Sequence, residues 1–267
     1  MRRGNVVIAN AQRVAPRKPP RYAAPFNAPV AQLDRASDYE SEGRAFESLR
    51  AHQPFKFNHS DQRASATMIE VEWWDFDDLA SLASQAADDI GFVIASALEA
   101  RGDAIVALPT GPTGAAVAGE LAGTKTDWSK VTIVPTDGAG DALSRIVAKG
   151  ARLIALDGAG LADAASPFDL VVLEARDDGA VAGIGSGPAY EPAISGPRGR
   201  RAVATPEGMT LTKAAFEGTR SLMIVGRGST GRAAAERAIE DGPLSRAPIG
   251  RILADMEVDA DILWSAS

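Results

Sequence analysis

Four glycine-bearing segments could do chemistry, because each joins a turn to hydroxyl, carboxylate or guanidinium side chains. LPTGPTG at 108–114 offers backbone N–H groups and threonine hydroxyls, the donors that hold a phosphate at a helix start. It lacks the G-x-x-x-x-G-K-[ST] arrangement of a Walker loop, and a tight capped turn accounts for it equally well. TDG at 136–138 offers Asp137 as a general base, although an Asp-Gly turn is the commoner reason for such a pair. EARDDG at 174–179 crowds three carboxylates, which can push one another's pKa apart and divide acid and base roles. A solvated acidic turn is the plainer account. GRGSTG at 226–231 matches G-x-G-x-x-G between a strand and a helix. Only 36 residues follow it, too few for the rest of a dinucleotide-binding domain, so a tight turn that carries Arg232 toward a site is preferred over NAD(P).

The residue inventory narrows the chemistry further. The chain has no Cys, which excludes a disulfide framework, a thiolate nucleophile and a Cys-based zinc site. Its two histidines, His52 and His59, both precede residue 68. A body starting there has no His general base, no Ser-His-Asp triad and no His-ligated metal. Asp, Glu, Lys and Tyr remain for proton transfer. Residues 1–67 hold 11 Lys/Arg against 6 Asp/Glu, or +5, which leaves 17 against 29, or −12, in the rest. So acidic a body argues against a nucleic-acid partner, because phosphate-backbone binding needs clustered cations. It leaves room for a small phosphorylated ligand held by a few arginines. No apolar run approaches the roughly 20 residues that span a bilayer, and no apolar stretch follows the basic start. The expectation is a cytoplasmic protein without a membrane partner.

These turns need a scaffold, and the pattern supplies one from residue 68 onward. Strands are expected at 68–74, 104–108, 130–135, 152–156, 168–173, 201–205, 221–225 and 257–264. Helices are expected at 76–100, capped by Asp75, and at 115–123, 141–149, 209–217, 230–240 and 248–255. Alternating strands and helices predict a three-layer αβα fold with a mostly parallel, Rossmann-like sheet, whose ligands bind outside the carboxyl ends of the strands.

Residues 1–67 show neither period. PRKPPR at 16–21 is basic and proline-rich, and VAQLDRASDYESEGRAFESLRAHQ at 30–53 resembles the product of translating a transfer-RNA gene. One codon choice for Phe46-Glu47-Ser48, TTC GAA TCC, is close to a T-loop sequence. The reading is a disordered or spurious extension, with the true start at Met68 and a single domain over 68–267.

Taken in order, five segments resemble the glucosamine-6-phosphate isomerase/6-phosphogluconolactonase family over about 68–264. ALEARGDAIVALPTGPTG is similar to the family's helix, strand and S-G-G-[ST]-T-P phosphate loop. DWSKVTIVPTDG is similar to its W-x-K-V strand ending in D-E-R, and PFDLVVLEARDDGAVAGI to F-D-L-x-L-L-G-x-G-x-D-G-H-x-A-S. RRAVATPEGMTLTKA resembles its R-x-T-L-T segment, and MIVGRGSTGRAAAERAIEDGPLSRAPIGRIL its G-x-x-K turn, helix and closing P-x-x-x-L. The resemblance implies a metal-free, cofactor-free hydrolase of the pentose phosphate pathway that opens 6-phosphogluconolactone to 6-phosphogluconate. Gly111, Thr113, Arg201 and Arg232 would bind the substrate phosphate, Asp178 or Asp137 would serve as base, and Gly179 would shape the site turn. Several positions depart from the pattern. The motif His is Ala180, the Glu and Arg after Asp137 are Gly138 and Ala139, and the two glycines before D-G are Glu174 and Arg176. The alternative is a catalytically inactive protein that binds a sugar phosphate. An amino-sugar-phosphate isomerase/deaminase is disfavoured, because ring opening in that branch would use the missing His. A structural subunit without ligand is the third reading.

Overall fold

The computed structural model describes residues 69–138, 141–157, 161 and 167–267. The extension 1–67 and the start at Met68 lie outside the described residues.

Seven strands form one wholly parallel sheet. They are β1 (Val71–Phe76), β2 (Ala104–Leu108), β3 (Val131–Pro135), β4 (Arg152–Leu153), β5 (Leu170–Glu174), β8 (Leu222–Arg227) and β9 (Ala260–Ser265). Their order is β1-β9-β8-β5-β2-β3-β4. All of β5 is buried, as a central strand covered on both faces requires, and its LVVLE run reads accordingly. One face carries α1 (Leu79–Arg101) and α2 (Pro112–Leu121), which pack Leu82, Ile90, Ile94 and Leu121 onto Val106, Val172 and Val225. The other carries α6 (Ser229–Asp241) and α7 (Pro248–Leu253), which pack Ala235, Ala238 and Ile252 onto Ala107, Leu173 and Ile224. The short helices α3 (Ser144–Val147), α4 (Glu191–Ile194) and α5 (Lys213–Phe216) fill connections. The expected three-layer αβα architecture is therefore present.

Three local expectations are corrected. Asp78 caps α1, its carboxylate accepting from Ser81 N at 2.7 Å, while Asp75 still belongs to β1. The segment expected as a strand at 201–205 does not join the main sheet. Ala202–Thr205 is β6 of a separate antiparallel hairpin with β7 (Gly208–Leu211). The helix expected over 209–217 is reduced to α5, because residues 209–211 are spent on that hairpin. Its backbone is drawn out by cross-connections at the carboxyl end of β3, Gly138 N to Met209 O and Leu211 N to Thr136 O.

Candidate functional site

The carboxyl ends of β2, β3 and β5 converge on the loop that starts α2. That helix opens with Gly111 as cap and Pro112 in its first turn, and no side chain of its own caps it. Its free N–H groups are taken from another strand. Glu174, the last residue of β5, is buried, and its carboxylate accepts from Thr113 N at 2.9 Å and Gly114 N at 2.8 Å. The loop backbone comes so close that a Cβ on Gly111 would lie 2.5 Å from Glu174 Oε2. Gly111 and Thr113, the expected phosphate contacts, thus face an internal carboxylate.

Asp137 follows β3 and turns back toward the same loop. Its Oδ1 accepts from Thr110 N and Thr110 Oγ1, both at 3.1 Å, and from Thr136 Oγ1 at 3.3 Å. Its Cβ packs where Gly183 leaves space, the would-be Cβ there falling 3.0 Å away. Asp178 belongs to a different environment. It is 64% exposed, accepts from Ala180 N at 3.0 Å in a local turn, and lies 3.7 Å from Arg176. Arg176 in turn grips Glu207 with both nitrogens, and Tyr190 donates to Glu207 at 3.1 Å. Gly179 is required by its backbone, with φ of 76°, and by Ala247, whose Cβ would stand 2.7 Å from an added Cβ. Ala180, where the resemblance expects the motif His, is 1% exposed.

The two cations expected at a phosphate are held elsewhere. Arg232, on α6, pairs with Asp75 of β1 and, at 2.6 Å, with Glu236. Its guanidinium lies 3.6 Å from the Trp73 ring centroid, which adds a cation–π contact. That places it toward the β1 edge on the α6 face, whereas the loop into α2 serves the opposite face beyond β5. The Arg201 guanidinium lies 5.1 Å over the ring of Phe168, and burial holds its pKa below the ordinary arginine value. Phe168 precedes β5 at its amino end, and the Arg201 carbonyl accepts from Thr212 N, next to the hairpin residue Leu211 that donates to Thr136 O. Arg201 thus contacts Phe168, and Arg232 contacts Trp73, Asp75 and Glu236.

The glycines of GRGSTG have a packing reason. Gly226 is in register with Trp264 of β9, and a Cβ on it would meet three Trp264 ring atoms at 2.2–2.6 Å. Gly228, with φ of 81°, makes the turn, and its carbonyl accepts from Trp264 Nε1 at 2.9 Å. At Gly231 an added Cβ would lie 3.0 Å from the same indole and 3.1 Å from Asp177 Oδ1. The fingerprint spacing is what a buried tryptophan needs here.

Sequence reasoning singled out Glu174 as one of a crowded acidic group and as a departure from a glycine, but missed its role. The signal was present: a carboxylate at a strand end beside a Gly/Thr helix start. Among the described residues no group of three or more His, Asp or Glu is disposed to hold a metal, and no helix is long and apolar enough to cross a membrane.

No family model and no curated protein matches the sequence. Solved structures do match. A 6-phosphogluconolactonase from Shewanella baltica OS155 is 25% identical, with a TM-score of 0.64, covering 74% of this chain and 99% of that one. A putative 6-phosphogluconolactonase from Neisseria gonorrhoeae FA 1090 is 20% identical, also at 0.64, covering 73% and 99%. A monomeric glucosamine-6-phosphate deaminase of the NagB superfamily is 12% identical, with a TM-score of 0.56, covering 73% and 98%.

Proposed function

We propose that this chain, a divergent member of the 6-phosphogluconolactonase and glucosamine-6-phosphate isomerase fold, keeps the scaffold of a sugar-phosphate enzyme without its lactonase chemistry. The observation that carries this reading is the dispersal of the phosphate-binding cations. Arg232 is committed to Asp75, Glu236 and Trp73, and Arg201 lies over the ring of Phe168. Among the described residues no Lys or Arg pairs with Asp137 or Glu174, and two carboxylates without a cation repel a dianionic substrate. The buried Ala180 brings no imidazole to the site. A positioned acid or base contributes roughly 10²–10⁴-fold, and the anchoring that would leave some rate without it is also missing.

A second reading keeps a weak lactonase, and Asp137 favours it. This carboxylate stands half-buried at the carboxyl end of β3, against the loop, where a general base is wanted. Hydrolysis of fresh 6-phosphogluconolactone by the purified full chain separates the two. The proposal expects the spontaneous rate at all protein concentrations. Saturable acceleration that Asp137→Asn abolishes would replace it with the second reading.

A further inference from the structure

We propose that Glu174 is a built-in anion: its carboxylate occupies the phosphate cup at the start of α2 and makes this site reject phosphorylated ligands. This deepens the reading that the chain retains the fold without lactonase chemistry, and rests on it. Three observations meet at one place. The N–H groups of Thr113 and Gly114, at the positive end of a ten-residue helix, each donate to one Glu174 oxygen. Gly111 lets that carboxylate approach to a distance no side chain would tolerate. Thr113 Oγ1 is buried in the same loop with no hydrogen-bond partner. The Glu174 oxygens accept from the two N–H groups and do not reach this hydroxyl, whereas a phosphate would bring a further acceptor oxygen into the cup.

The backbone of Glu174 is also firmly held. It ends a wholly buried strand, and Ala175 N bonds Val225 O at 2.9 Å immediately beyond it. A phosphate entering the loop would displace a charge-assisted pair of bonds and would sit beside the displaced carboxylate in a partly dry site, where like charges repel strongly. The site therefore takes ligands that carry no anion at this position.

The test is calorimetric titration of inorganic phosphate, and separately 6-phosphogluconate, into the full chain, Glu174→Gln and Glu174→Ala. The glutamine keeps the shape and removes the charge, and the alanine empties the cup. Expected is binding to both variants at least about tenfold tighter than the affinity, or its lower limit, for the native chain, equivalent to about 1.4 kcal/mol. Equal affinity in all three proteins, or none in any, overturns the proposal. Should the alanine variant fail to unfold cooperatively, the glutamine variant decides alone. Lactone turnover measured on the native chain alongside reports on the loss of chemistry and leaves the phosphate comparison untouched, so the two claims fail separately.

Discussion

Replacing Gly226 by alanine tests whether the glycine-rich turn exists for Trp264 or for a ligand. The new Cβ would meet Trp264 Cζ3 at 2.2 Å, Cη2 at 2.5 Å and Cε3 at 2.6 Å. The indole has little room to yield, since it is 3% exposed, is bonded to Gly228 O and packs at 6.0 Å from Trp73. Forcing a methyl into such a core costs about 1–3 kcal/mol, and three sub-contact distances place this case near the top. Lower unfolded-chain entropy returns about 0.4–1 kcal/mol, for a net loss of about 2 kcal/mol. For a domain of roughly 200 residues that is a fall of about 4–8 °C in Tm. All three clashing atoms belong to the six-membered ring of the indole, and phenylalanine at 264 would remove them. Gly226→Ala should therefore cost almost nothing in a Trp264→Phe background. Urea unfolding followed by far-UV circular dichroism on the four proteins gives the coupling energy, expected at about 2 kcal/mol. Additivity within about 0.5 kcal/mol would refute the packing explanation.

Two further outcomes follow from the ion pairs. Asp169 is buried between the amino ends of β2 and β5, where it accepts from Ile105 N at 2.9 Å and pairs with Arg101 and Arg220. Asp169→Ala strands the Ile105 amide and both arginines, and because the arginines reach solvent the loss should be about 2–3 kcal/mol, read by urea unfolding. The hydrogen bond from Arg176 holds the Glu207 pKa below the ordinary glutamate value. A depressed folded pKa stabilises the native state above the unfolded value of roughly 4.3, and that contribution fades as pH falls from there through the folded value. Glu207→Gln should flatten this part of the acid limb in a series of melting curves from pH 7 to pH 3. An unchanged acid limb would mean that the exposed pair contributes nothing.

The centre of the sheet was legible because its strands are almost wholly apolar and its turns carry glycine. AIVAL, VTIVP and LVVLE were each found within about two residues, and each lies in the buried interior. The hairpin was not legible, because ATPEGMTL at 204–211 has neither a sustained alternation nor a two-residue turn signature. Its two strands pair with each other, and the hairpin is docked by bonds to Thr136 and Gly138, more than 70 residues earlier, a tertiary effect that local propensity does not encode. The cap of α1 was misplaced among the three acids of DFDD at 75–78, where the bond from Ser81 N distinguishes Asp78. At the site, the turns were found but the directions of the side chains were not. Arg232 occupies its expected place in the chain, yet Asp75, Glu236 and Trp73 draw its guanidinium away, and two of these partners come from a strand more than 150 residues distant.

On the reading proposed for the α2 cup, Glu174 stands where a ligand phosphate would stand. A crystal structure of the native chain grown in 6-phosphogluconate tests it most directly. Expected are the Glu174 carboxylate within hydrogen-bond distance of Thr113 N and Gly114 N, and no phosphate in the loop. A phosphate on those two amides, with Glu174 turned out of the cup, would contradict it.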